Sequence, residues 1–231
     1  MEKPVYPCYN MRITQGYNEG THKGSYAIDD AGKDTTIEKI RAPFTGVIKK
    51  IYTQDANEVW LESLEPVEYP DGTIDYMTIM FAHANDISNL FVGKTINIKE
   101  EFYSEGTKGN ATGNHCHIEC GKGKFTGTGW YKNSSGYYSI NNGKKPEECL
   151  WLDDNVNIIN NKGYIFKNIP VTNNENSPDT SNTNSTQKED DNKENQSTSN
   201  EPGKDINLIY TCQKDGLYGI YLKSGQNVYI E

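Results

Sequence analysis

Four histidines stand in this chain, at His22, His83, His115 and His117, and two of them sit one residue apart in the stretch GNHCHIEC, residues 113–120. In a strand, side chains two positions apart leave the same face. His115, His117 and Glu119 therefore share one face, while Cys116, Ile118 and Cys120 take the other. The apolar set can face a core while both imidazoles face a cleft. Two imidazoles about 6–7 Å apart along a strand are too far apart to share one proton; they suit one metal ligand beside one acid–base group. His22 lies in THKGSYAIDD, with Asp29 and Asp30 seven and eight positions later. That reads as a histidine on a loop, then a strand SYAID returning to the same place. Histidine nitrogen and aspartate oxygen each coordinate zinc at about 2.0–2.2 Å. With one histidine of the pair they make three ligands, and three protein ligands with an open fourth position describe a catalytic zinc site. His83 ends the apolar run DYMTIMFAH, where a side chain points into a site built by neighbouring strands.

Short strands must position these groups. Residues 1–171 alternate apolar runs (GVIKKIYT, EVWLESLE, DYMTIMFAH, TINIKEEFY, HCHIEC) with Gly, Asn and Asp turns, which predicts a mostly β sheet domain. EPVEYPDGTIDY predicts a hairpin turning at Asp71-Gly72. KKPEECLWL predicts a short helix near 146–152, with Pro146 in its first turn and glutamates complementing the dipole. The excursion 121–145 is rich in Gly and Tyr; its Trp130, Tyr131, Tyr137 and Tyr138 either stack on a ligand or decorate a hairpin. Thr112 and Asn114 either position substrate or shape a turn, and Tyr17 either lines the cleft or packs in the core.

Residues 172–204 contain no apolar side chain larger than proline. Such a segment cannot bury enough surface to offset its ordering entropy, so it is expected to be a disordered linker. Residues 205–231 are apolar and aromatic again and read as three short strands. They are too few to hold a core alone, so they are expected to dock, to oligomerise or to belong to a larger module.

Composition narrows the function. A net charge of −9 over 231 residues argues against a nucleic-acid partner held through phosphates. No apolar run approaches the roughly 20 residues that span a bilayer. The opening MEKPVYPCYNMRITQGYNEG has no apolar signal core, so the expected location is the cytoplasm of the producing cell. The five cysteines, Cys8, Cys116, Cys120, Cys149 and Cys212, form no C-x-x-C pair and are expected to be reduced, mostly buried structural residues.

In order along the chain, ITQGYNEGTHKGSYAID, RAPFTGVIKKIY, TIMFAHANDI and EGTKGNATGNHCHIE resemble the lysostaphin-type (LytM-like) zinc metallopeptidases that cut peptidoglycan cross-links. The likeness covers roughly residues 12–120. The tail KKPEECLWLD resembles the closing helix of phage-type members and extends it to about residue 155. The resemblance implies an antiparallel β-sheet groove, one zinc ion per catalytic domain, the zinc ligands His22, Asp29 and His117, and His83 and His115 as catalytic, non-ligand histidines. Two features depart from the family pattern. The spacing between His22 and Asp29 is longer than in many members, and Cys116 stands inside H-x-H. Asp30 adjoins Asp29, but strand alternation favours Asp29.

The function implied is a zinc endopeptidase acting on peptidoglycan cross-links or stem peptides, as a phage endolysin that acts on the wall once released. The small β segment at 205–231 would then bind cell wall or oligomerise. The competing readings are a non-catalytic peptidoglycan-binding member and a virion-associated lysin.

Overall fold

The computed structural model describes residues 1–170; the linker expected at 172–204 and the β segment expected at 205–231 lie outside the described residues. The first strands are β1 (Asn10–Gln15), β2 (Ile28–Asp30), β3 (Lys39–Arg41), β4 (Gly46–Tyr52), β5 (Glu58–Ser63) and β6 (Val67–Glu68). Next come β7 (Ile74–Asp75), β8 (Met77–Ala82), β9 (Thr95–Ile96), β10 (Glu101–Ser104) and β11 (Cys116–Lys122). The last are β12 (Trp130–Lys132), β13 (Tyr138–Ile140), β14 (Gly143–Lys144), β15 (Trp151–Leu152), β16 (Asn157–Asn160) and β17 (Lys167–Asn168).

The main sheet runs β16-β1-β2-β11-β8-β5-β4-β9, with β14 also paired to β11. Its pairings are antiparallel except for the parallel edge pair β1–β16. The mostly β expectation is met, and Asp71-Gly72 turns the β6–β7 hairpin with Gly72 at φ 83°, a left-handed value that glycine adopts without strain.

Period two divides the central strands between two faces. Val59, Leu61, Ile79, Phe81, Cys116, Ile118 and Cys120 join the main apolar core with Met11, Ile13 and Ile28. On the other face Trp60 and Met80 pack with Ile140 under Trp130, Phe125 and Tyr52. This second cluster covers one end of the sheet and leaves the other end as an open groove. All six residues of β5 and of β8 are buried, as expected of central strands covered on both sides.

Two local expectations change. The helix near 146–152 is a single 3₁₀ turn, Pro146–Glu148. Cys149 and Leu150 both donate to the Pro146 carbonyl, which closes the turn. Trp151 and Leu152 then pair as strand with β17, and Leu150, Trp151 and Leu152 are buried in succession. One helix face cannot bury three consecutive residues. The strand expected over SYAID is confined to Ile28–Asp30. Segment 121–145 contains the β12–β13 hairpin, on which Tyr131, Tyr137 and Tyr138 are exposed. Tyr17 packs outside the groove: it stacks on Tyr164 and donates to Glu147 at 2.9 Å. The four cysteines among the described residues are buried and free.

Candidate metal centre

Sheet register assembles the site as one cross-strand row. Gln15 lies opposite Asp29, Asp29 opposite His117, and His117 opposite Ala82. The β5–β8 register pairs Val59 with Phe81, so Glu58 falls beside Ala82, and Tyr52 lies opposite Glu58. His22 joins the row from outside, carried by the 3₁₀ turn Gly20–His22. The β12–β13 hairpin ties that turn down. The Asn133 side-chain amide donates to the Thr21 carbonyl at 3.2 Å, Ser135 Oγ to the Gly20 carbonyl at 3.3 Å, and Ser134 Oγ to the Lys23 carbonyl at 2.7 Å.

Asp29 Oδ1 is the hub. It lies 3.3 Å from His22 Nε2, 3.0 Å from His117 Nδ1 and 3.8 Å from His115 Nε2. Ligand atoms of His22, Asp29 and His117 all fall within 4.8 Å of one another. Two ligand atoms each about 2.0–2.2 Å from one tetrahedral ion lie about 3.3–3.6 Å apart, so this donor set fits zinc. Both imidazoles are also oriented for it. His22 Nδ1 lies 3.1 Å from the Gly16 carbonyl and must donate there, which leaves Nε2 a lone pair. His117 Nε2 lies 2.9 Å from Glu119 Oε1, which turns Nδ1 toward Asp29. Such outer partners fix ring orientation and ligand basicity. Asp30, the neighbouring acid, faces away and accepts from the Tyr6 hydroxyl at 2.6 Å.

Electrostatics follow from these contacts. Burial works to raise the Asp29 carboxyl, but the His117 and His22 imidazoles against it outweigh burial and hold Asp29 well below the usual carboxylate range. Burial opposes charge on His117, yet Asp29 and Glu119 push that ring up to about 10. A metal taking Nδ1 would displace a proton there.

His83 and His115 stand beside His22, Asp29 and His117, their ring centres 4.5 Å apart. His83 Nδ1 donates to the Lys108 carbonyl at 2.7 Å and His115 Nδ1 to the Gly113 carbonyl at 2.9 Å. Each ring therefore keeps Nε2 free. Burial, then the His117 charge, pushes His83 down to about 4. His83 directly follows β8 with φ 84°, a left-handed conformation that costs a non-glycine residue about 1–3 kcal/mol and persists only where the surroundings enforce it. The surroundings include a reciprocal tie, since the Lys108 amide donates back to the His83 carbonyl at 3.0 Å. Gly106 presses on the same backbone: a Cβ there would stand 2.2 Å from the His83 oxygen. Gly106 also bridges to His115, exchanging hydrogen bonds of 3.1 and 3.2 Å.

All five histidine and aspartate positions expected at the site line one groove of about 900 Å³. Thr112 lines it as well; Asn114 instead donates to the Thr35 carbonyl. Tyr137 and Tyr138 form part of its wall. Sequence reading assigns no role to Glu119, Glu58 or Gly106. Glu119 carries a signal, its place two residues beyond His117 on the same face. Glu58 and Gly106 carry none, because their roles arise from register between distant strands.

No protein-family model matches the chain. Over 175 residues the chain is 29% identical to Morphogenesis protein 1 of Bacillus phage B103, which covers 70% of this chain and 43% of that protein. Similar solved structures include the catalytic domain of the prophage-encoded M23 protein EnpA from Enterococcus faecalis, at 19% identity over 53% of this chain and 91% of that one, with a TM-score of 0.38. The catalytic domain of the antimicrobial peptidase lysostaphin from Staphylococcus simulans is 17% identical over 63% of this chain and 89% of that one, with a TM-score of 0.37. A chain of the SpoIIQ–SpoIIIAH pore-forming complex is 17% identical over 65% of this chain and 92% of that one, with a TM-score of 0.42. The chain is similar, at this level, to solved M23 peptidases.

Proposed function

We propose that this protein is a zinc-dependent endopeptidase that hydrolyses peptide bonds in bacterial peptidoglycan, acting as a phage lysin. The observation that carries the reading is the Asp29 hub, with His22 and His117 oriented as ligands and two further imidazoles presenting free Nε2 atoms beside them. A zinc ion held there would polarise the scissile carbonyl and acidify a water. His83 and His115 supply the proton handling. One accepts the water's proton at Nε2 as the oxygen attacks the carbonyl carbon, then returns it to the leaving amine. The other, protonated, donates Nε2–H to the developing oxyanion. The groove is open along the sheet, which suits an extended peptide. The phage relative supports the biological setting. Action would follow release from the producing cell's cytoplasm onto the wall.

The test is mass spectrometry of purified peptidoglycan after incubation with the full chain, with and without a chelator. New amino termini that vanish with chelator and return with zinc are expected, and they would name the bond. A protein that holds zinc and sediments with walls, yet releases no new termini, would refute hydrolysis.

A further inference from the structure

The metal row does not end at His117. Beyond the small Ala82, on the same groove face, stands Glu58. It is only 8% exposed, and its Oε2 atom has no hydrogen-bond partner. A buried carboxylate without a partner is costly and calls for an explanation. Packing does not provide one, because Glu58 lines the open groove rather than the core. Nor do the protein's own cations bond to Oε2; Lys50 and His117 act on the carboxyl only through space, against the larger cost of burial. The Lys50 ammonium on β4 sits 3.4 Å from the Trp130 ring centre and donates to the Thr128 carbonyl at 2.5 Å. Lys108, which also lines the groove, makes no hydrogen bond to Glu58 Oε2. Asp55 adds a second negative charge at the same end of the groove.

We propose that Glu58 anchors a subsite for a primary ammonium group on the peptide bound in the groove, and so makes amine-bearing peptides the preferred substrates. Two strand spacings, about 10 Å, separate the Glu58 backbone from that of His117. That distance matches a residue beside the scissile bond carrying a long amine side chain, or an amino terminus two to three residues away. An ammonium there supplies the Glu58 carboxylate with a donor, and a charge-assisted bond of this kind is about twice as strong as a neutral one. A neutral amide in its place can offer one N–H but no counter-charge, and so makes the weaker bond. Ala82 is essential to the geometry, since a larger side chain would fill the space between the acid and the metal ligands. The inference rests on reading the groove as a peptide site.

The test measures equilibrium binding of acetyl-Ala-Ala-Lys-Ala-Ala-amide and its Nε-acetyl counterpart to the full, zinc-loaded chain. The amine form is expected to bind about 10–100-fold more tightly, and Glu58→Gln is expected to erase that preference. Glu58→Asp, which keeps the charge on a shorter arm, is expected to retain part of it. Equal affinity of the two peptides for the wild type, including no binding of either, overturns the inference without need of any variant. So does an undiminished preference in Glu58→Gln. A preserved amine preference in a protein that cuts no peptidoglycan would refute the hydrolase reading and leave the ammonium subsite standing.

Discussion

Asp29 and Glu58 lie in the same cross-strand row, separated by β11 and β8, and their environments are opposite. Asp29 is surrounded by imidazole nitrogens and sits well below the usual carboxylate range. Glu58 has no donor on Oε2, and burial pushes its carboxyl up to about 7. The two acids share a face and a sheet, so depth alone does not set their charge. The partner across the strand does. One end of the groove holds a carboxylate stabilised by imidazoles, while the other holds a carboxyl that burial drives toward its neutral form.

The largest effects should come from the Asp29 end. Asp29→Asn is expected to bring metal content to background and to cut release of peptide termini by about 10²–10³-fold or more. His115→Ala is expected to lose cleavage by about 10²–10⁴-fold while retaining metal. Metal analysis beside the cleavage assay separates the two, and loss of metal from His115→Ala would break the division between ligand and acid–base residues. A smaller effect is expected for Glu119→Gln, about 10–100-fold weaker metal binding with the fold intact, read by chelator competition.

The comparison also predicts stability effects of opposite sign. The Glu58 pKa is raised on folding, so its contribution is fully present below about pH 4.5 and is lost as pH rises through about 7. Glu58→Gln should therefore be more stable than wild type at pH 8, by about 1–3 kcal/mol, with the gap closing below pH 5. Asp29 is depressed, so in metal-free protein its contribution is present above about pH 4 and is lost on further acidification. Asp29→Asn should accordingly destabilise metal-free protein at pH 8. Urea unfolding across pH checks both, and two shifts of the same sign would abolish the contrast. The smallest expected change is at Asp55, an exposed neighbour that helps raise Glu58. Asp55→Asn should alter stability by no more than about 0.5 kcal/mol while moving the Glu58 titration, followed by NMR, downward.

What could be read in advance was whatever depends on short-range periodicity. The H-x-H pair, its shared face with Glu119 and the inward Cys116 follow from a two-residue repeat. Strand alternation also favours Asp29 over Asp30, and the Tyr6 hydroxyl holds Asp30 on the far side. Register between distant strands was not readable. Glu58 meets Ala82 only because Val59 pairs with Phe81, and nothing local states that. The turn at Pro146 failed for a different reason: proline followed by two glutamates opens a 3₁₀ turn as readily as a helix. The pairing of Trp151–Leu152 with β17, and of Val5 with Trp151, decided the outcome.

The row across the strands also bears on when the site can form. His117 meets Asp29 across 88 positions of chain, and the His22 turn is held by a hairpin more than a hundred positions away. Contacts of such long range close late, after much of the loop entropy has been lost. A zinc finger closes short loops around its ion and folds with it; here the ion would enter a cradle that the sheet has already finished. Metal should therefore slow unfolding while leaving the folding rate almost untouched. The ion would act as a latch on the finished sheet, with no part in nucleating it.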